Sequence, residues 1–248
     1  SDQIERGGGT GGSRSVTVQT NVTLLAVANM VSGFAGFLAE QAGVDAADVS
    51  FDDESFRITG SNVTPTMLEV AQMAREAGRS DLLTWKATAK LPGRSFPNGA
   101  HFCEVEIDPA TGATHVEKYT VVDDFGNLIN PMLAEGQVHG GVAQGLGQAL
   151  SERVVFDDEG QLLTATFMDY AMPRADTMPM IRFETEAVPS TTNPMGMKGC
   201  GEAGTVGAMA AVANAVQDAL WAHGVKQADM PFTPQRVWEM LKDAGHKP

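Results

Sequence analysis

An α+β fold, with mixed or antiparallel sheets and packed helices, is predicted for this chain of 248 residues. Three observations predict it. Apolar residues recur at helical spacing in several separated stretches. Other stretches alternate polar and apolar residues, as half-buried strands do. Two pairs of these strand-like stretches flank tight turns, which indicates hairpins.

In chain order, the glycine-rich Gly7–Ser15 precedes a helix whose apolar stripe is Leu24, Val27, Ala28, Val31, Ala35 and Leu38. Gly43 ends that helix. A short strand is expected at Phe56–Thr59. Thr64-Pro65 then reads as the cap and first residue of a helix with Met67, Val70, Ala71 and Ala74 inward and Gly78 as its stop. Trp85–Leu91 alternates like a strand. Phe102–Ile107 and His115–Val122 flank Asp108-Pro-Ala-Thr-Gly112, a hairpin turn with Pro early and Gly late.

Gly136–Leu150 reads as a helix carrying five glycines. Val154–Phe156 and Leu162–Phe167 suggest a second hairpin, and Ile181–Ala187 a further strand. After Glu202, the apolar residues Val206, Met209, Ala213, Val216 and Leu220 follow a helical period that Gly224 stops. A last helix opens at Thr233-Pro234 with Val237, Trp238 and Leu241 inward. No boundary is sharp. Residues 1–248 read as one cofactor-binding region, with 1–97 and 98–248 as candidate subdomains.

Composition narrows the function. Hydrophobic residues make up 43% and charged residues 19%, an ordinary globular balance. The net charge of −14 repels nucleic acid and anionic lipid. Two cysteines, Cys103 and Cys200, are too few for a disulfide framework or for an iron–sulfur cluster. The five histidines show no metal-ligand spacing. No signal peptide and no apolar run long enough to span a bilayer are expected. The first residue is Ser1, which suggests a processed subunit or an excised fragment.

Three segments could carry chemistry. In Lys198-Gly-Cys-Gly-Glu202 one acid sits among small residues at the start of a helix, where a ligand could approach closely. The competing reading is that Glu202 only caps the helix. In Gly136-Gln-Val-His-Gly-Gly141, glycine costs about 1 kcal/mol relative to alanine in a helix interior, so close approach by something is implied. Either a neighbouring helix packs there, or a cofactor lies across the helix with Gln137 offering donor and acceptor. Thr10-Gly-Gly-Ser-Arg-Ser15 has the small residues, hydroxyls and guanidinium of an anion cradle, although the Gly-Lys-Ser/Thr ending of a P-loop is missing. A flexible linker, or a nucleotide-phosphate site in a transferase, would also account for it. His139 and Cys200 are read as structural.

With these segments the chain resembles the molybdopterin-binding large subunit of the molybdenum hydroxylases, the family of xanthine dehydrogenase, aldehyde oxidase and aerobic carbon monoxide dehydrogenase. The matching motifs run in order along the chain: Glu104–Gly112, Val122-Asp-Asp-Phe-Gly126 with Ile129-Asn-Pro131, Gly136–Gly141 and Lys198–Glu202. The resemblance covers nearly the whole chain and corresponds to the C-terminal part of that subunit.

The resemblance implies a molybdenum-bearing molybdopterin, in bacteria often as the cytosine dinucleotide. It implies that Glu202 is the active-site base, which takes the proton from the Mo–OH group during hydroxylation of an aldehyde or aromatic N-heterocycle. Gly12, Ser13, Arg14 and Ser15 would contact the pterin side, and Gly136 and Gln137 the molybdenum ligands. Gly199, Cys200 and Gly201 would form the backbone that brings Glu202 to the metal. No protein side chain is expected to ligate molybdenum. Iron–sulfur clusters and FAD are expected only on partner domains or subunits. The N-terminal half of the molybdenum subunit is expected as a further partner, in a cytoplasmic enzyme, with this chain alone inactive. The alternative is a non-catalytic cofactor-binding or assembly module.

Overall fold

The computed structural model describes residues 7–246. The helices are α1 (Ser15–Ala42), α2 (Met67–Glu76), α3 (Pro131–Leu150), α4 (Ala203–Trp221) and α5 (Pro234–Asp243). The strands are β1 (Val49–Asp52), β2 (Ser55–Ile58), β3 (Asn98–Ile107), β4 (Thr114–Asp124) and β5 (Ile181–Thr185). The fold is α+β, as predicted. It divides into two compact units: one of residues up to 16, 94–192 and from 196 onward, the other of residues 17–93 and 193–195.

The smaller unit holds most of α1, the antiparallel pair β1–β2, and α2. Its core is Phe34, Phe37 and Leu38 of α1 with Phe56, Val70, Ala74 and Leu82. The expected stripe on α1 therefore holds only toward its C-terminal end: Leu24 and Val27 are about 40% exposed. By length and composition α1 is apolar enough to cross a bilayer, which corrects the expectation that no run is. Its aromatic C-terminal half, however, packs in a protein core. Helix α2 starts two residues later than expected, because Thr66 and Glu69 form a reciprocal capping box. Trp85–Leu91 is not a strand. Trp85 instead turns inward, edge-on to Phe34, with its Nε1–H on the Leu82 carbonyl at 2.9 Å.

The larger unit is built on the sheet β3-β4-β5, antiparallel between β3 and β4 and parallel between β4 and β5. The β3–β4 turn closes as predicted. Gly112 adopts φ +72°, and the Asp108 carboxylate accepts from Ala110 N and Thr111 Oγ1. The second hairpin is reduced to a single bridge between Phe156 and Leu162. Helix α3 begins five residues before Gly136, because Asn130 caps it and Pro131 occupies its first turn.

The core of this unit joins Tyr119, Val121 and Phe125 to Val138, Val142 and Leu146 of α3, Val212, Val216 and Leu220 of α4, and Val237 and Leu241 of α5. On α4 the fully buried row is Gly204, Ala208, Val212, Val216 and Leu220, whereas Val206 is 65% exposed. The row begins with small residues because α3 and α4 cross there at backbone distance. A Cβ on Gly141 would lie 2.9 Å from Gly204 Cα, and one on Gly145 would lie 2.5 Å from Ala208 Cβ. Thr205 Oγ1 seals the crossing with a hydrogen bond to the Gly141 carbonyl at 3.1 Å.

Candidate active site

The larger unit brings all three segments singled out in the sequence to one place. Glu202 immediately precedes α4, but its side chain makes no capping hydrogen bond. The carboxylate instead meets Ser13. Ser13 Oγ–H donates to Glu202 Oε2 at 2.9 Å, and Glu202 N–H donates to Ser13 Oγ at 3.0 Å. This pair joins residues 189 positions apart. Glu202 thus occupies the N-cap position without capping the helix through its side chain.

Both sides of that contact depend on unusual backbone. Ser13 is a non-glycine residue at φ +56°, a conformation that costs about 1–3 kcal/mol and clusters at functional sites. Gly12 precedes it at φ +60°. Opposite, a Cβ on Gly199 would fall onto the Ser13 carbonyl oxygen, so only glycine lets the two loops approach. Gln137, on the second turn of α3, donates its Nε2–H to the Gly201 carbonyl at 2.9 Å and so ties that helix to the same loop. Thr10 Oγ1 and Ser15 Oγ lie 2.8 Å apart within the glycine-rich loop. Arg14 curls back, donating to the Gly9 carbonyl through Nε at 3.2 Å and Nη2 at 2.6 Å.

The glycines of α3 divide by face. Gly141 and Gly145 serve the helix crossing, whereas a Cβ on Gly136 or Gly140 would meet nothing within 4 Å. With Gly147, where a Cβ would meet Glu152 and Pro173, packing explains three of the five and leaves an open stretch of helix beside Gln137.

A cavity of about 400 Å³ adjoins the Ser13–Glu202 contact. Leu128, Ile129, Leu133 and Met197 give it apolar walls, and Thr10, Ser15, Asn127 and Gln137 set polar atoms around it. Such a lining suits a planar heterocycle with a polar edge. The loops, the open glycine face and this cavity fit a pterin cofactor. Among the described residues no group of three or more His, Cys, Asp and Glu could hold a metal ion.

Glu202 is exposed, because its glycine neighbours have no side chains to cover it. Cys200 is half-buried against the core, and burial pushes its thiol up from the ordinary range. His139 lies outside the site, 3.8 Å from Glu135 Oε1 one helical turn away.

The sequence reading also missed residues. Asp124 and Lys198 form a buried ion pair at 2.5 Å beneath the loop that bears Glu202. A signal was present: Asp123-Asp124 closes an apolar strand, and acids are almost never fully buried unless paired. Asn130, in the cavity wall, lies in the Ile129-Asn-Pro131 motif, and Asn127, also in the wall, falls between that motif and Val122–Gly126.

Comparison with known proteins bears on what this site holds. The sequence profile of the molybdopterin cofactor-binding domain matches residues 1–179. The chain is 35% identical over 239 residues to the carbon monoxide dehydrogenase large chain of Hydrogenophaga pseudoflava, covering 95% of this chain and 30% of that one. It is 44% identical over 147 residues to the nicotine 6-hydroxylase large subunit of Paenarthrobacter nicotinovorans, covering 59% and 18%. The structure superposes on the Cu,Mo-containing carbon monoxide dehydrogenase with a TM-score of 0.83 and 31% identity, covering 98% of this chain and 31% of that one. It superposes on quinoline 2-oxidoreductase from Pseudomonas putida 86 with a TM-score of 0.79 and 35% identity, covering 98% and 32%. The chain spans less than a third of the length of these relatives. With a glycine-rich loop, an open glycine face on α3 and a carboxylate-bearing loop gathered around one cavity, the chain belongs to the molybdopterin cofactor-binding domain family.

Proposed function

We propose that this chain is the molybdopterin-binding part of an oxidoreductase that hydroxylates an aldehyde or an aromatic N-heterocycle with oxygen from water. The observation that carries the proposal is the reciprocal pair of hydrogen bonds between Ser13 and Glu202, which places a carboxylate beside the glycine-rich loop and the cavity. Two relatives support the substrate class by their names, which refer to nicotine and to quinoline.

When bound, the molybdenum cofactor, in its cytosine dinucleotide form, supplies two-electron redox chemistry and activates a water-derived oxygen. The chain's own residues bind, orient and move a proton. Gly12, Ser13, Arg14 and Ser15 line the pterin side with backbone N–H groups and hydroxyls. Gly136 leaves helix backbone uncovered for the cofactor, and Gln137 stands at its edge. Gly199, Cys200 and Gly201 carry Glu202 forward. Because Ser13 occupies Oε2, Oε1 is the oxygen left to accept the proton of the water-derived oxygen.

The remaining two-thirds of the large subunit is the first partner we propose. Ile129, Met132 and Leu133 stand 59%, 73% and 66% exposed beside the cavity, a contiguous apolar surface of the kind that marks an interface. Iron–sulfur and flavin subunits would then carry electrons away, and the two free cysteines accord with a reducing cytoplasm. The chain alone is therefore proposed to be inactive.

The test is to purify the complete assembly and measure molybdenum, pterin and substrate-dependent dye reduction. Bound cofactor with dye reduction supports the proposal. Bound cofactor with no reduction of dye by any aldehyde or N-heterocycle would leave a non-catalytic cofactor-binding module instead.

A further inference from the structure

Asp124 ends β4 with its side chain 9% exposed, yet four chain segments converge on its carboxylate. Gly126 N–H and Val188 N–H donate to Oδ1 at 2.9 and 3.0 Å. Lys198 Nζ and Asn98 Nδ2 donate to Oδ2 at 2.5 and 3.3 Å. Burial works against the charge, but the Lys198 ammonium and the two backbone N–H groups outweigh it and hold the carboxyl below its ordinary range.

Lys198 is the first residue of the loop that bears Glu202. Its backbone is fixed as firmly as its side chain. Lys198 N–H donates to the Phe125 carbonyl at 2.8 Å, and Met197 bridges Gly126. Asn127 N–H and Ser190 N–H both donate to the Gly196 carbonyl. From Lys198 onward the loop is Gly-Cys-Gly, which has little torsional preference of its own. Something outside those three residues must set where Glu202 arrives. At the far end Ser13 and Gln137 receive the loop; at the near end the holder is the Asp124–Lys198 pair.

We propose that Asp124 and Lys198 are positioning residues: the buried pair clamps the root of the Lys198–Gly201 loop and so fixes Glu202 against Ser13. Its bearing on catalysis rests on the reading of Glu202 as base; its bearing on the loop does not. Neither residue touches the Glu202 carboxylate, and both act through the intervening backbone.

The chain supplies its own reporter. Cys200 sits in the loop and Cys103 in β3, and both thiols are half-buried and unpaired. The experiment is alkylation with N-ethylmaleimide, each cysteine followed separately by peptide mass spectrometry, in K198M, D124N and K198R. Loosening the loop by about 1.4 kcal/mol accelerates Cys200 about tenfold. We expect that acceleration in K198M and D124N with Cys103 unchanged, and near-native Cys200 labelling in K198R, which keeps the cation. K198M leaves Asp124 its two backbone donors, so it remains informative if D124N does not fold.

Equal acceleration of both cysteines, or of neither, overturns the proposal, because the pair would then be a general structural tie or no clamp at all. The second arm is turnover per bound molybdenum in the complete assembly. K198M should lose kcat with little change in KM, and K198R should regain it. Faster Cys200 labelling with unchanged kcat also overturns the positioning role. Failure of the Glu202 reading itself would appear elsewhere, as full turnover in E202Q.

Discussion

The glycines of α3 and α4 divide into a packed and an open set, which leads to opposite outcomes for one chemical change, glycine to alanine. At Gly204 the added methyl would run into the Val138 carbonyl oxygen and stand 2.8 Å from Val142 N, both backbone atoms that cannot rotate away. The α3–α4 crossing must open. Overpacking of this kind costs about 1–3 kcal/mol. The helix-propensity gain of about 1 kcal/mol offsets part of that. Gly204→Ala should therefore lower stability by up to about 2 kcal/mol, and Tm by up to about 8 °C at the 2–4 °C per kcal/mol of a chain this size. At Gly136 and Gly140 the methyl meets nothing within 4 Å. There the propensity gain stands alone, and each substitution should stabilise by up to about 1 kcal/mol. Thermal unfolding of the four chains by circular dichroism reads the result. In the complete assembly the order should invert for cofactor retention: Gly136→Ala and Gly140→Ala, the stabilising pair, should retain less pterin if the cofactor lies over that face. Loss of stability at Gly136 equal to that at Gly204 would refute the division into a packed and an open face.

Other outcomes follow from single side chains. Ser13→Ala keeps the positive-φ backbone but removes both hydrogen bonds to Glu202, so turnover per molybdenum in the assembly should fall while the chain loses only about 1 kcal/mol in urea unfolding. Asp124 is held below its ordinary value of 3.8, so its contribution to stability is present above that pH and is lost as pH falls through the lower folded value. Breaking such a buried pair costs about 3–5 kcal/mol. The urea midpoint of the native chain should thus drop more steeply below pH 4 than that of Asp124→Asn, which starts lower at pH 7. Burial pushes the Cys103 thiol up to about 11 from 9.0, so its stabilising contribution is complete below pH 9 and is lost as pH rises through 11. Its alkylation rate should climb with a midpoint near pH 11, and a midpoint in the ordinary thiol range would contradict the burial argument.

What could be read in the sequence, and what could not, follows from the range of the interactions. The β3–β4 hairpin and the start of α5 are set by local chemistry, by Asp108 with Gly112 and by the Thr233 cap, so pattern and turn residues sufficed to find them, whereas the glycine pattern leaves α3 five residues short because its Asn130 cap lies upstream of that pattern. Trp85–Leu91 alternates like a strand, but Trp85 has a tertiary partner in Phe34, and contact overrides alternation. The α4 row shifted from Val206 to Gly204 because close helix crossing selects size above hydrophobicity, which an apolar period does not register. The site segments were found individually, as short motifs. Their meeting was not legible, because Ser13 and Glu202 are 189 residues apart and their approach needs a positive φ at Ser13 and no Cβ at Gly199. Asp124 was passed over for a similar reason: its four donors come from four separate segments.

The central claim is that Glu202 serves as the base beside a molybdopterin centre. Its most direct test is Glu202→Gln in the complete assembly, with molybdenum content and turnover measured on the same sample. The amide keeps the shape and can still meet Ser13, but it cannot take up the proton. General-base catalysis contributes about 10²–10⁴-fold, so turnover per molybdenum should fall by that factor while bound molybdenum is unchanged. Turnover within a few-fold of the native enzyme, at full molybdenum content, would contradict the assignment.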